Sequence, residues 1–171
     1  FQFGGMAALF NHDIDVLVTP DPVLKEGIIF EPVFAYEQVL IVANNNPLAK
    51  FDFLEPAQLS DQTLYTYPVA VERLDIYKQF LLPAHSQPKK HKMLEATEII
   101  LQMVASDRGV ATLPQWLVNE YAQQMPITAV RLGQQGIHKH IHLGIRENDA
   151  TALHTKTFID IAKQQSVIHP L

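Results

Sequence analysis

The spacing of apolar positions changes several times along this chain, and each change predicts an element. "IDVLVT" (Ile14 to Thr19) is a nearly continuous apolar run between "NHD" and "PDP". That pattern predicts a strand buried on both faces, as in a parallel sheet covered by helices. Before it, "MAALF" (Met6 to Phe10) predicts a short helix after the Gly4-Gly5 break, so the opening reads strand, helix, strand. "GIIFEPVFAYEQVLIVA" (Gly27 to Ala43) predicts one or two long strands interrupted near Pro32. The turn formers of "NNNPLAK" (Asn44 to Lys50) then mark a crossing between lobes.

A βαβ rhythm follows. "QTLYTY" (Gln62 to Tyr67) predicts a strand, "ERLDIYKQFLLPA" (Glu72 to Ala84) a helix stopped by Pro83, and "KKHKML" a strand. "ATEIILQMVASD" (Ala96 to Asp107) predicts a helix, "GVATL" a strand, "PQWLVNEYAQQ" (Pro114 to Gln124) a helix and "ITAVRL" (Ile127 to Leu132) a strand. This alternation predicts a right-handed, mostly parallel sheet, with Gly109 as a left-handed helix cap. "GQQG" (Gly133 to Gly136) is a second crossing, followed by the strand "IHKHIHLGI" (Ile137 to Ile145) and a closing helix over Ala150 to Gln165. In that helix Leu153, Phe158 and Ile161 suggest one buried stripe.

The expected fold class is therefore α/β. Two Rossmann-like lobes are joined by two crossover strands, the type 2 periplasmic-binding-protein architecture, with a cleft between them. The first lobe takes residues 1–43 and 137–171, and the second takes 48–132.

Composition narrows the chemistry. At 171 residues with 47% hydrophobic content, the chain can build packed cores, and its longest apolar runs are far short of the roughly 20 residues a membrane helix needs. With no cysteine, disulfides and thiolate chemistry are excluded. A net charge of −5 and only one short basic cluster, "KKHK" (Lys89 to Lys92), leave no basic face for nucleic acid. The start carries neither an initiator Met nor a signal-peptide pattern, and reads as cut or processed.

No nucleophile-elbow, zincin, Walker or dinucleotide motif is present, so no enzyme is expected and no cofactor is implied. In "HKHIH", His138, His140 and His142 share one face of a strand. Side chains roughly 6.5 Å apart can aim two at one ion more easily than three, so a metal site competes with a partly exposed histidine face.

Three junctions have the make-up of a ligand edge: Thr19-Pro20-Asp21, Glu95-Ala96-Thr97 and Thr112-Leu113-Pro114. In a parallel sheet, ligands sit outside the carboxyl ends of the strands, where helix N-termini present unpaired N–H groups that favour a carboxylate. Thr97 is positioned to cap its helix, Thr112 to offer a hydroxyl from the neighbouring strand end, and Pro114 suits a first helical position. Threonines at such places are also common structural caps, so a purely structural role stands beside the functional one. Glu95 and Asp21 are the acids available for an ammonium. Trp116, Leu117, Val118 and Tyr121 fall at helical spacing and read as core, with Trp116 just past the edge.

The order of "DIDVLVT", "YEQVLIVANNNPLA", "LYTYPVAVERLDIYKQFLLPA", "MLEATEIILQMVASDRGVATLPQWLVNEY" and "IHLGIREND" resembles the effector-binding domain of LysR-type transcriptional regulators. Asn46 stands where many of that family have His before "PLA". The resemblance covers essentially the whole chain. It implies effector contacts at Thr19, Pro20, Tyr67, Glu95, Ala96, Thr97, Thr112 and Leu113.

"YPV" (Tyr67 to Val69), "RLDIYKQFLLPA" and "LQMVASDRGVATLPQW" are most similar to the branch of the family that controls methionine biosynthesis. A small amino acid, homocysteine first, is then the expected effector. The resemblance also implies promoter DNA as a partner only through a helix-turn-helix domain outside these residues, a homodimer or tetramer in the full-length protein, and a cytoplasmic, non-membrane setting. It implies further that the first lobe lacks its usual opening strand and helix. A transport solute-binding protein of the same two-lobed shape is the competing reading, because fold alone does not settle function.

Overall fold

The computed structural model describes residues 5–168, and the strand expected ahead of the Gly4-Gly5 break lies outside them. Two compact units are formed, one from residues 1–36 and 139–171, the other from Glu37–His138. The chain passes between them inside two long strands, β2 (Ile28–Ala43) and β8 (Ile137–Arg146). The expected crossings at "NNNPLAK" and "GQQG" are instead turns within the second unit. Asn46 caps a 3-10 turn over Pro47–Lys50, its side chain accepting from Leu48 N–H, while Gly133 and Gly136 take positive φ. β2 is one uninterrupted strand, because Pro32 lies at an exposed position where a missing N–H is tolerated.

In the second unit, one strand runs against all the others. β3 (Phe53–Leu54) is parallel to β7 (Ile127–Leu132), and β7 is antiparallel to the second half of β2. On its other side β2 is antiparallel to β6 (Val110–Pro114), which is parallel to β4 (Thr63–Thr66), itself parallel to β5 (Lys90–Met93). The order is β3-β7-β2-β6-β4-β5. Except for β2, the expected parallel sheet is what forms.

Two apolar layers cover this sheet. Leu64 and Val110 face one core with Ile76, Phe80 and Leu81. Tyr65, Ala111 and Leu113 face the other, built on Ile100, Leu101 and Val104 of α2 (Thr97–Ala105) and Val118 of α3 (Gln115–Tyr121). Each fully buried aliphatic side chain contributes on the order of 1.5–3 kcal/mol through the area it removes from water.

The segment 72–84 does not form the single α-helix expected of it. It winds as a 3-10 turn over Val71–Arg73, a π-helical turn over Ile76–Leu81 and a 3-10 turn over Leu82–Ala84. Pro83 cannot donate to the carbonyl four residues back, and its ring crowds that carbonyl. The wider turn, in which Leu82 N–H reaches Tyr77 O, relieves the crowding.

The cap after α2 is Asp107, not Gly109. Asp107 adopts φ 53°, and Arg108 N–H returns to Met103 O. Gly109 is needed for another reason: at φ 154° a Cβ would stand 2.3 Å from Thr63 O.

In the first unit, α1 (Gly5–Phe10) precedes β1 (Leu17–Thr19), which pairs antiparallel with β8. β1 is shorter than expected, and it is neither parallel nor doubly buried: Val18 is 62% exposed. Among the described residues it pairs with β8 alone, as the end strand of the order β1-β8-β2. Leu143 and Ile145 of β8 pack with Ile159 of α4 (Leu153–Ile168). The inward stripe of α4 is Thr155, Ile159 and Ala162, and the predicted stripe of Leu153, Phe158 and Ile161 is exposed.

Arg146, at the end of β8, ties this unit together. Its guanidinium, 12% exposed, bonds Asp15, Asp149 and the carbonyls of Leu9 and Ile14. Hydrogen bonds to Asp15 and Asp149 raise its pKa above the ordinary arginine value.

Candidate functional site

Parallel strands end together, so β4, β5 and β6 place their carboxyl ends on one edge of the second unit's sheet. Tyr67, Glu95 to Thr97 and Thr112 to Pro114 all sit there. The Tyr67 phenol oxygen is 2.7 Å from Thr97 Oγ1, and either hydroxyl can donate. Burial pushes the Tyr67 phenol above its ordinary pKa. The Thr97 hydrogen bond opposes that shift, and Glu98 and Tyr121 add to it, so the group is a neutral O–H at physiological pH.

The cap of α2 differs from the expectation. Ala96 holds the extended cap position and offers no side-chain oxygen, while Thr97 is the first helical residue and its hydroxyl is turned to Tyr67. Ile100 N–H to Ala96 O is the first bond of the helix, so the N–H groups of Thr97, Glu98 and Ile99 precede the internal ladder. With the phenol donating to Thr97 Oγ1, the threonine proton is directed to a further acceptor.

Thr112 lies on the other face. Alternation along β6 puts Val110 in one core and Ala111 and Leu113 in the other, so Thr112 shares the Val110 side, away from α2. Leu113 is 1% exposed, leaving only its main chain for a ligand. Pro114 closes β6 and takes the cap position of α3, so the helix begins at Gln115, one place later than expected. Glu95 is exposed between β5 and α2.

Beneath this edge, the buried Thr66 links β4 to β5. Its hydroxyl donates to Tyr67 O at 3.1 Å and stands 2.7 Å from His91 Nε2, so the ring carries its proton on Nε2. His91 also packs against the Tyr77 ring, centroids 5.3 Å apart, and burial lowers its pKa. Neither residue stood out in the sequence. The only signal was the polar alternation of "KHKM", which reads equally as a solvated edge.

Thr19 and Pro20 belong to the first unit. Thr19 closes β1, where its Oγ1 accepts from Asp21 N–H at 3.1 Å in a local turn. Of the histidines, His138 falls in the second unit and bonds Gln135 O at 3.0 Å, while the rings of His140 and His142 are 6.2 Å apart. Among the described residues no three His, Cys, Asp or Glu side chains gather as a metal group. A cavity of about 280 Å³ in the first unit is lined by Ile29, Ile145, Ile159 and the Lys163–Glu31 ion pair, none of which is among the expected effector contacts.

Residues 4–166 match the family described as the LysR substrate binding domain. The chain belongs to that family. It is 32% identical over 167 residues to the HTH-type transcriptional regulator MetR of Escherichia coli, covering 98% of this chain and 52% of the relative, so the chain spans about half the length of the curated relatives it matches. The regulatory domain of MetR from N. meningitidis superposes with a TM-score of 0.82 at 31% identity, over 98% of this chain and 78% of that one. The regulatory domain of Synechocystis CcmR, in complex with 2-PG, reaches 0.80 at 16% identity over 94% and 77%, a likeness of fold.

These relatives are regulators rather than enzymes or transport proteins, and the fold is the expected type 2 periplasmic-binding-protein class. No helix among the described residues is long and apolar enough to cross a membrane.

Proposed function

We propose that this LysR substrate binding domain senses an amino-acid effector for a regulator of methionine biosynthesis, with homocysteine as the ligand. The observation that carries the reading is the Tyr67–Thr97 hydroxyl pair at 2.7 Å beside the uncapped start of α2. Together they offer a directed O–H and unpaired N–H groups to a carboxylate.

In this reading Ala96 and Leu113 contribute through their main chains, and Thr112 contributes from the opposite face of the edge. Glu95 takes the ammonium. Thr19 and Pro20 remain in the proposal on the family resemblance alone, which implies a cleft between the lobes. Promoter DNA would be reached through a helix-turn-helix domain, in a homodimer or tetramer, and the effector acts by favouring the state it binds better. A cytoplasmic setting belongs to the same proposal.

Thermal denaturation with and without L-homocysteine tests this. A ligand that binds only the native state raises the midpoint, by more the further its free concentration exceeds its Kd. The reading expects a rise with homocysteine that exceeds the rise with methionine and is absent with glycine. Equal midpoints throughout would contradict it.

A further inference from the structure

The first unit's cavity of about 280 Å³ opens between its sheet and α4, and every residue that lines it belongs to that unit. Its floor is apolar. Ile29 of β2, Ile145 of β8 and Ile159 of α4 meet there, the last two almost fully buried. Its rim is charged, because Lys156, Asp160 and Lys163 fall at helical spacing with Ile159 and so share one face of α4.

The four rim charges are not equivalent. Lys163 is held by Glu31, Nζ to Oε2 at 2.9 Å, so those two neutralise each other. Lys156 and Asp160, about one helical turn apart, are exposed and make no side-chain hydrogen bond or ion pair among the described residues. The cavity therefore presents a cation and an anion without protein partners beside an apolar floor.

That combination discriminates between ligand classes. A lone anion drawn to Lys156 is repelled by Asp160, a lone cation meets the converse, and an uncharged apolar molecule uses neither. A zwitterion uses both. The volume lies at the lower bound of the roughly 300–1,000 Å³ of small-molecule pockets, which suits a ligand the size of a free amino acid.

We infer that this cavity is a second small-molecule site that takes a free α-amino acid with an apolar side chain. The carboxylate pairs with Lys156, the ammonium with Asp160, and the side chain lies on Ile29, Ile145 and Ile159. The site belongs to a different unit from the Tyr67–Thr97 edge and does not rest on the effector reading.

L-Leucine is the probe, titrated into the chain labelled with ¹³C in its isoleucine δ1 methyls. The Ile29, Ile145 and Ile159 resonances are expected to move together and saturate, while that of Ile100, in the second unit, stays in place. Lys156→Gln and Asp160→Asn, both at exposed positions, should each weaken leucine about threefold to fivefold, the scale of an ion pair at an open rim. Isovalerate, which lacks the ammonium, and isoamylamine, which lacks the carboxylate, should lose at least as much. Thr97→Val should leave the leucine response unchanged.

Cavity resonances that stay still up to the solubility limit of leucine, or affinities unaltered in both rim variants, overturn the inference. Equal binding of isovalerate overturns the amino-acid class. A leucine response that Thr97→Val abolishes also overturns it, because the ligand then occupies the strand-end edge.

Discussion

The phenol of Tyr67 and the hydroxyl of Thr97 meet at 2.7 Å across the carboxyl ends of β4 and β5, 30 residues apart in sequence. One partner comes from a strand end and the other from the first residue of a helix, so the bond fixes the edge on which the proposed site rests. Tyr67→Phe and Thr97→Val should each cost about 0.5–1.5 kcal/mol of stability, and the double variant less than their sum, since they remove one shared bond. Urea denaturation of the four proteins measures this cycle, and strict additivity would show that the pair is not coupled.

Gly109 is a separate backbone constraint. Its φ of 154° and the 2.3 Å approach of a Cβ to a main-chain oxygen leave no flexible side chain to yield. Gly109→Ala is expected to cost more than about 2 kcal/mol, because strain and a backbone clash add. The midpoint of urea unfolding reads it directly.

Leu101 is fully buried between α2 and the sheet. Leu101→Ala should lose about 2–5 kcal/mol through lost transfer energy and the cavity left behind. The same truncation at Ile99, which is 52% exposed, should change stability by less than about 0.5 kcal/mol, and calorimetric melting distinguishes the two.

His91 makes the fold acid-sensitive. Burial lowers its folded pKa below the ordinary 6.5, so as pH falls through 6.5 the unfolded chain takes up a proton that the folded chain does not. Stability is therefore full above 6.5 and declines below it until the folded pKa is passed. Melting temperatures measured between pH 7.5 and pH 5.5 should fall for the wild type and fall less for His91→Gln. Parallel curves would assign the acid sensitivity elsewhere.

In the second unit β4, β6 and β7 were legible as short apolar runs between turn formers, and β5 lies where the βαβ rhythm puts it despite its polar sequence, while the two-residue β3 carries too short a pattern to read. The antiparallel placement of β1 was not legible either, because pairing direction is decided by β8, more than a hundred residues later, and a three-residue run carries no record of its partner. The π-helical turn before Pro83 escaped for a related reason: the proline signals a helix end, not how the preceding turn widens to accommodate it.

For the site, Thr97 and Tyr67 were both named from the sequence, but as independent contacts. Their bond depends on β4 and β5 being neighbours. Arg146 and the Asn46–Asp107 hydrogen bond, 2.7 Å across 61 residues, are long-range in the same sense.

The central claim is that the Tyr67–Thr97 edge binds a sulfur-containing amino acid by its carboxylate. Calorimetric titration of L-homocysteine into the wild type and Thr97→Val, with methionine as comparison, tests it most directly. Saturable heat with homocysteine, weaker heat with methionine and at least about a tenfold loss of affinity in Thr97→Val are the predicted results. Equal homocysteine affinity in the two proteins, or no heat in the wild type, would contradict the account.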